Sequence, residues 1–517
     1  MNPFDSSGAF RNVAQNGELK RLAVRSGGVT IFFQGFGFAI QMVSTMVLAR
    51  LLTPADFGVV TMVTTFSLLL SSFGLNGFTE AILQQSHLNQ RLASNLFWIN
   101  LAVGLCLTLG FAGCGGILAR FFHDRHVARV AVGLALTIFI SSASVLHLAL
   151  LKRAMRFTAV SLNDILARAL AVVLSIFLAW LGWGYWALVA GAIVLPFSQA
   201  IGAWFLCRWV PDLPKRGSGT IPLLKFATSV YLHFIVNYSA RNLDNVLVGW
   251  RFQAQALGFY KKAYDLFVLP ANNLLSPLGA VIVTTLSRLD QDRVQYRRYF
   301  LSGLSILAFA GMGIGADLTL IAKDLIRLFL GPGWETAGRI FAFFGPGIGV
   351  MLLYNTHGWI HLSIGKADRW FRWGVVEFLL TTLLFILGLR WGPEGVAVAW
   401  TASFWLLLLP AFWYAGRPIQ LHLSSMVAVI WKYFIASLLA ACATALIFGS
   451  MPNLLAAPGW EGALMRTLVA TLLFVILYLG AVILLHRGVG PLQQVVQLLS
   501  GSFGWNGMSR PSPATRN

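Results

Sequence analysis

The sequence predicts an all-α polytopic membrane protein with about fourteen transmembrane helices: two six-helix lobes in parallel repeat, plus two C-terminal helices. Three observations predict it. The chain of 517 residues is 57% hydrophobic and only 11% charged, with a mean hydropathy of +0.73, an apolar excess that lipid can cover and water cannot. Windows of about 20 apolar residues recur roughly every 30 residues from Gly28 to His486. Two short stretches of the first half return in the second, in the same order, at offsets of about 200 and 208.

The windows centre near residues 39, 68, 107, 138, 172, 196, 238, 275, 310, 351, 381, 405, 438 and 475. Residues 1–27 ahead of them are polar and basic, with Glu18, Lys20, Arg21 and Arg25, and read as a cytoplasmic segment. A cleaved signal would need a shorter apolar core and a small-residue cleavage site, so Val29 to Ala49 reads as a retained first helix. The connection ARLLTPADFGVV, Ala49 to Val60, places Thr53 as N-cap, Pro54 at the first helical position and Asp56 in the first turn. Asn76 and Glu80 follow at the cytoplasmic mouth of the second span.

RFFHDRHVAR, Arg120 to Arg129, reads as a solvated membrane-flanking loop rather than a metal site, although His123 and His126 bracket Asp124. KRAMRF, Lys152 to Phe157, returns the chain to the cytoplasm, and the fifth span opens with Asn163, Asp164 and Arg168. Asp164 and Arg168 are an i, i+4 pair able to neutralise each other. LGWGYWALVAG, from Leu181, is a short external turn rimmed with interfacial Trp.

RWVPDLPKRGSGTIP, Arg208 to Pro222, holds three Pro and Gly-Ser-Gly and reads as the linker between halves. VLARLLTPADFGVV, from Val47, resembles VLVGWRFQAQALGFY, from Val246, with Gly58 over Gly258. LGWGYWALVA, from Leu181, resembles LRWGPEGVAVA, from Leu389, with Gly184 over Gly392. The chain then divides into an N-terminal segment 1–27, a lobe 28–207, a cytoplasmic linker 208–225, a lobe 226–416, two helices within 417–486, and a cytoplasmic tail 487–517. The two late helices carry almost no polar stripe and read as peripheral.

The formal net charge is +20, yet the basic residues are spread over short loops, which argues against a nucleic-acid partner. With the N-terminus cytoplasmic, about 23 of the 38 Lys and Arg fall on the cytoplasmic side and about 12 on the other. The bias places both termini in the cytoplasm, and part of the charge serves topology and anionic lipid headgroups.

The informative polarity lies between Lys225 and Arg288. The stretch Tyr231 to Trp250 is long enough to cross a bilayer, yet carries His233, Asn237, Arg241, Asp244 and Asn245 as a slowly winding stripe. The next span carries Lys261, Lys262, Asp265, Asn272 and Ser276. Charges within lipid cost at least a few kcal/mol, so they face a bundle interior or a water-filled path. Thr30, Gln34, Gln41 and Thr45 of the first span echo the stripe at the start of the other lobe. Candidate substrate contacts are therefore Arg241, Asn237, Asn245, Lys261, Lys262, Gln34 and Gln41, with Asp244 and Asp265 as candidate coupling-ion carboxylates. Arg241 and Asp244 admit two readings: an intrahelical ion pair that only makes each charge tolerable, or an Arg241 that meets an anionic group in a cavity.

Other motifs carry no chemistry. Gly365-Lys366 lacks the Walker A spacing, and no Gly-rich dinucleotide loop follows a strand, so no cofactor is expected. Asp290-Gln291-Asp292 lies beside Arg288 and Arg293 and reads as a solvated pair. The triplets Gly311/Gly313/Gly315 and Gly345/Gly347/Gly349 read as close helix packing. His357 and His361 lack a third zinc ligand and read as satisfied polar contacts, with Glu377 nearby in sequence. Cys106, Cys114, Cys207 and Cys442 have neither disulfide nor metal spacing and read as small core residues.

RNLDNVLVG (Arg241–Gly249) followed by LGFYKKAYDLFVLP (Leu257–Pro270) resembles the polysaccharide-exporter, or Wzx-type, branch of the MOP flippases. ARLLTPADFG and KRAMRF match the same family, and the resemblance runs over roughly residues 15–450. It implies a V-shaped pair of six-helix lobes around a cationic cavity lined by the first, second, seventh and eighth helices. It also implies an undecaprenyl-diphosphate-linked oligosaccharide substrate moved to the outer leaflet of the bacterial inner membrane, with polymerase and export machinery as further partners. Glu80 follows Gly-Leu-Asn-Gly where the family pattern leads one to expect Asp-Leu-Gly-Leu. Two rivals stand beside this. A cation antiporter of the same fold would favour an acidic cavity, and a membrane glycosyltransferase or polymerase would need a large external catalytic loop.

Overall fold

The computed structural model describes residues 3–5, 7–10, 16–85, 88–215, 220–451, 459–490 and 493. Among the described residues there is no strand, only two isolated bridges, Phe4 to Phe10 and Ala9 to Asn89. The helices are α1 (Asn16–Leu51), α2 (Pro54–Ser72), α3 (Thr79–Gln84), α4 (Gln90–Gly113), α5 (Gly115–Phe122), α6 (His126–Arg153), α7 (Phe157–Trp180) and α8 (Tyr185–Cys207). They continue with α9 (Thr220–Arg288), α10 (Arg293–Leu320), α11 (Ala322–Leu330), α12 (Glu335–Asn355), α13 (His357–Ser363), α14 (Ala367–Gly388), α15 (Gly392–Gly416), α16 (Leu423–Gly449) and α17 (Gly459–His486).

Among the described residues, eleven stretches are long and apolar enough to cross a membrane. One of them, Asp368–Ile419, runs through both α14 and α15. Both spans expected near residues 238 and 275 lie in α9, which is not among those eleven; several side chains of its second half lie outside the described residues. α9 is two helices joined at Gln253, whose φ of 64° and ψ of −174° break the helical path.

Helix ends follow from local chemistry. Thr53 and Asp56 form a reciprocal capping box at the start of α2, with Pro54 at the first helical position as the sequence requires. Asn89 accepts from the Leu92 amide at the start of α4, and Asp292 accepts from Val294 and Gln295 at the start of α10. Asp290 pairs with Arg293 at 2.9 Å, so both acids of the Asp-Gln-Asp run have structural work.

The chain forms two compact units. The first comprises residues 1–264, 326–340 and 378–399. In it α6 is the central helix, touching α2, α4 and α8, while α1 lies on α7 and α7 on α8. One end of it is tied by a knot. Phe4, 1% exposed, packs against Phe10 and Trp209 with ring centroids 5.9 Å away in each case. The Phe10 amide donates to Leu88 O and the Gln90 amide to Gly8 O, while Arg153 stacks on Phe10. The linker is bound to α4: Asp212 N donates to Ser94 Oγ, Lys215 N to Asn95 Oδ1 and Trp98 Nε1 to Asp212 O. The Gly-Ser-Gly of the linker, residues 217–219, lies outside the described residues.

The second unit comprises residues 265–325, 341–377 and 400–517. Its glycine triplets do pack closely: a Cβ on Gly349 would lie 2.7 Å from Gly311 O, and one on Gly315 3.1 Å from Gly345 O. α17 is more firmly bound than its apolar sequence suggests. Arg466 of α17 makes a fork to both oxygens of Asp324, Thr471 donates to Asp317 at 3.2 Å, and Tyr478 donates to Phe309 O at 2.7 Å. A single polar residue suffices where it meets its partner in a low-dielectric interior, and no stripe is needed.

Two further expectations need correction. Cys106, Cys114 and Cys442 are exposed and only Cys207 is buried; all four are free. A small side chain on a lipid-facing surface meets no steric demand, so apolarity alone did not place it inside. His357 Nδ1 does donate to Tyr354 O, but its Nε2 and both ring nitrogens of the fully buried His361 have no hydrogen-bond partner among the described residues.

Gln253 holds a conformation that a side chain rarely adopts. Gln253→Gly should raise the melting temperature of the purified protein by a few degrees. An unchanged or lower melting temperature would show that the turn is not strained.

Candidate functional site

The first unit brings the two repeated turns together. Gly58 sits against the backbone of Ala254, where a Cβ would lie 1.7 Å from the carbonyl oxygen. Gly258 sits against Pro54, where it would lie 1.8 Å away. Positions 58 and 258 match in the repeat, as do 54 and 254, so the contact is reciprocal in the way a two-fold interface is. The second matched pair also keeps one conformation: Gly184 has φ 54°, Gly392 has φ 77°, and each stands at the start of a helix. Trp334, 2% exposed, closes over the turns. Its Nε1 donates to Ala49 O at 2.9 Å, and its ring meets Phe57 and Phe259.

Next to these turns the polar stripe divides. Tyr231 and Tyr238 donate to Leu69 O and Thr65 O of α2, each at 2.9 Å, and fix the first half of α9 against it. Asn237 and Arg241, one turn apart, are exposed on one face. Asp244 is fully buried and turns to Tyr260, whose hydroxyl donates to Oδ2 at 2.7 Å, stapling the two halves of α9. Asn245 is buried too, its amide donating to Asn242 Oδ1 at 3.3 Å, so it does not share the face of Arg241. Lys262 Nζ lies 4.1 Å from the centre of the Phe57 ring and Lys261 Nζ 5.3 Å from that of Tyr264, cations over aromatic faces. Asp265, half-buried, belongs to the second unit. The side chains of Thr30, Asn76, His233, Asn272 and Ser276 lie outside the described residues.

Gln34 and Gln41 are brought together elsewhere in the first unit. Both line a cavity of about 590 Å³ between α1, α6, α7 and α8. Its polar wall is Asp164, Arg168 and Gln199, with Lys152 at the end of α6 and Phe33 and Phe38 on the α1 side. Arg168 donates to Asp164 Oδ2 at 3.0 Å, and Gln199 donates to Oδ1, so both carboxylate oxygens are engaged. The i, i+4 pair read from the sequence is therefore formed, and it is part of a wall. Gln199 carried no signal in the sequence, because a lone amide on an apolar helix does not reveal which neighbour it faces.

Residues 47–338, more than half of the chain, match the family described as polysaccharide biosynthesis protein. The chain belongs to that family. Succinoglycan biosynthesis transport protein ExoT of Rhizobium meliloti (strain 1021) is 22% identical over 380 residues, covering 74% of this chain and 77% of its own length. Teichuronic acid biosynthesis protein TuaB of Bacillus subtilis (strain 168) is 24% identical over 364 residues, covering 69% and 75%. Among solved structures, lipid II flippase MurJ in an inward closed conformation aligns with a TM-score of 0.70 at 14% identity, over 87% of this chain and 97% of that one. An inward-facing multidrug transporter of the MATE family aligns with a TM-score of 0.57 at 13% identity, over 74% and 94%. The resemblance read from RNLDN and RLLTPADFG, and the all-α membrane fold, are both borne out.

Proposed function

We propose that this polysaccharide-biosynthesis family member moves undecaprenyl-diphosphate-linked oligosaccharide repeat units across the bacterial inner membrane, by alternating access through a cationic cavity. It is a transporter and not an enzyme. The observation that carries the reading is Arg241: an exposed guanidinium deep in a membrane-length helix, one turn beyond Asn237, in a chain with the fold of a lipid II flippase. A diphosphate is costly to pass through a low-dielectric region, and a guanidinium offsets that cost through charge-assisted bidentate hydrogen bonds. Lys261, Lys262 and Asn237 complete the proposed contact set, from which the buried Asn245 drops out, and Asp244 and Asp265 are the carboxylates on which ion coupling would rest.

The division into lobes 28–207 and 226–416 around a linker 208–225 belongs to this proposal, supported by the reciprocal packing of Gly58 and Gly258. So does the placement of both termini in the cytoplasm. Reporter fusions after Arg216 and after Arg510 should both read as cytoplasmic; a periplasmic signal at Arg216 would overturn the six-plus-six arrangement. The antiporter reading is the weaker one, since Asp164 is already paired with Arg168 and Asp244 with Tyr260. Deleting the gene tests the whole: one surface polysaccharide should disappear while its lipid-linked unit accumulates in the inner leaflet. A strain that keeps all its polysaccharides and loses resistance to a cationic drug would refute the reading.

A further inference from the structure

We infer that the cavity between α1, α7 and α8 binds the saccharide of the lipid-linked substrate, separately from the diphosphate contact at Arg241; the inference rests on the function just proposed. Its volume of about 590 Å³ falls within the range of small-molecule sites, and its wall has the right chemistry for sugar hydroxyls. Each hydroxyl is both donor and acceptor, so it is best met by planar groups that offer both kinds of partner. Gln34, Gln41 and Gln199 offer amides, Asp164 accepts, and Arg168 donates. Phe33 and Phe38 add apolar faces for the C–H side of a pyranose ring.

The charge arrangement discriminates between ligands. A cation site needs a carboxylate with negative charge to spare. Asp164 has none, since Arg168 donates to one oxygen at 3.0 Å and Gln199 donates to the other. A diphosphate needs uncompensated positive charge; Arg168 is compensated by the same contact, and of the lining Lys152, at the α6 end, is left to supply it. What remains between α1, α7 and α8 is a strongly dipolar wall without net charge, in which Asp164 and Arg168 are still 40% and 34% exposed. Asp164 is then a positioning residue: it fixes the guanidinium and the Gln199 amide, and these touch the sugar. Gly37 of α1 stands beside Arg168, where a Cβ would lie 3.9 Å from Nε.

The test uses the full-length protein in nanodiscs and two probes: the lipid-linked repeat unit extracted from cells lacking the transporter, and undecaprenyl diphosphate without sugar. Wild type should bind the saccharide-bearing lipid about tenfold or more tighter than the bare diphosphate, as expected if two or more hydrogen bonds to charged or amide groups are gained. Arg168→Met and Gln199→Ala should abolish that preference and leave the affinity for bare undecaprenyl diphosphate unchanged. Gln41→Ala, at an exposed position, should narrow the preference with no loss of thermal stability. Arg241→Ala should weaken both lipids alike. If wild type binds neither lipid, the proposed function fails. If it binds both equally, or the cavity variants keep the preference, the saccharide assignment alone fails. Thermal stabilisation of wild type by Na⁺ that is lost in Asp164→Asn would also overturn it, by making the cavity a cation site.

Discussion

Arg241→Ala should abolish polymer export with the protein at normal levels in the membrane, and Arg241→Lys should keep only a small part of it. Two charge-assisted hydrogen bonds to a desolvated diphosphate contribute roughly 3–6 kcal/mol, so losing both lowers transport by about two to four orders of magnitude. Lys retains a point charge and at most one of the two contacts. The side chain is exposed, so its removal opens no cavity and leaves no buried partner unpaired. Asp244 lies one turn on and is spoken for by Tyr260. The pair Arg241→Leu with Asp244→Leu should therefore not restore export, because it also removes the carboxylate to which the Tyr260 hydroxyl donates. Export at the normal rate from that double variant would make Arg241 structural and sink the substrate assignment.

The second large effect is expected at Gly58 and Gly258. A Cβ at either position would fall 1.7 or 1.8 Å from a backbone carbonyl oxygen, closer by more than an ångström than real Cβ atoms approach, and a carbonyl cannot rotate away as a long side chain can. Gly58→Ala or Gly258→Ala must separate the two turns, at a cost of about 1–3 kcal/mol each, read as a lower melting temperature. The double variant should cost clearly less than the sum. Once the first methyl has opened the contact, the reciprocal methyl meets little further resistance. Full additivity, or wild-type melting in either single variant, would show that the turns are not in the contact described.

Much of this architecture is legible in the chain because the bilayer enforces it. Apolar runs must become helices, since lipid offers no partner to a peptide group. Thr53, Pro54 and Asp56 state the start of α2 within four residues, and the repeat around Gly58 and Gly258 announces a close approach. The polar stripe around Arg241 singled out α9, but not how its residues divide. Neighbours in sequence, Asp244 and Arg241 part ways because Tyr260 comes back from beyond the turn at Gln253. The polar wall of the cavity was legible only in fragments. Gln34 and Asp164 each stood out, whereas their meeting with Gln199 depends on how α1, α7 and α8 pack, which no local pattern encodes.

The knot that ties one end of the first unit has a consequence for how the protein is made. Phe4 leaves the ribosome long before Trp209, which forms one wall of its pocket and follows only after six membrane-length helices. At typical rates of translation Phe4 waits roughly ten to forty seconds for that wall to arrive. During this interval it has Phe10 beside it but not the indole that later buries it. The early chain is thus a natural client for whatever escorts nascent membrane proteins, and the knot closes only once α8 has been made.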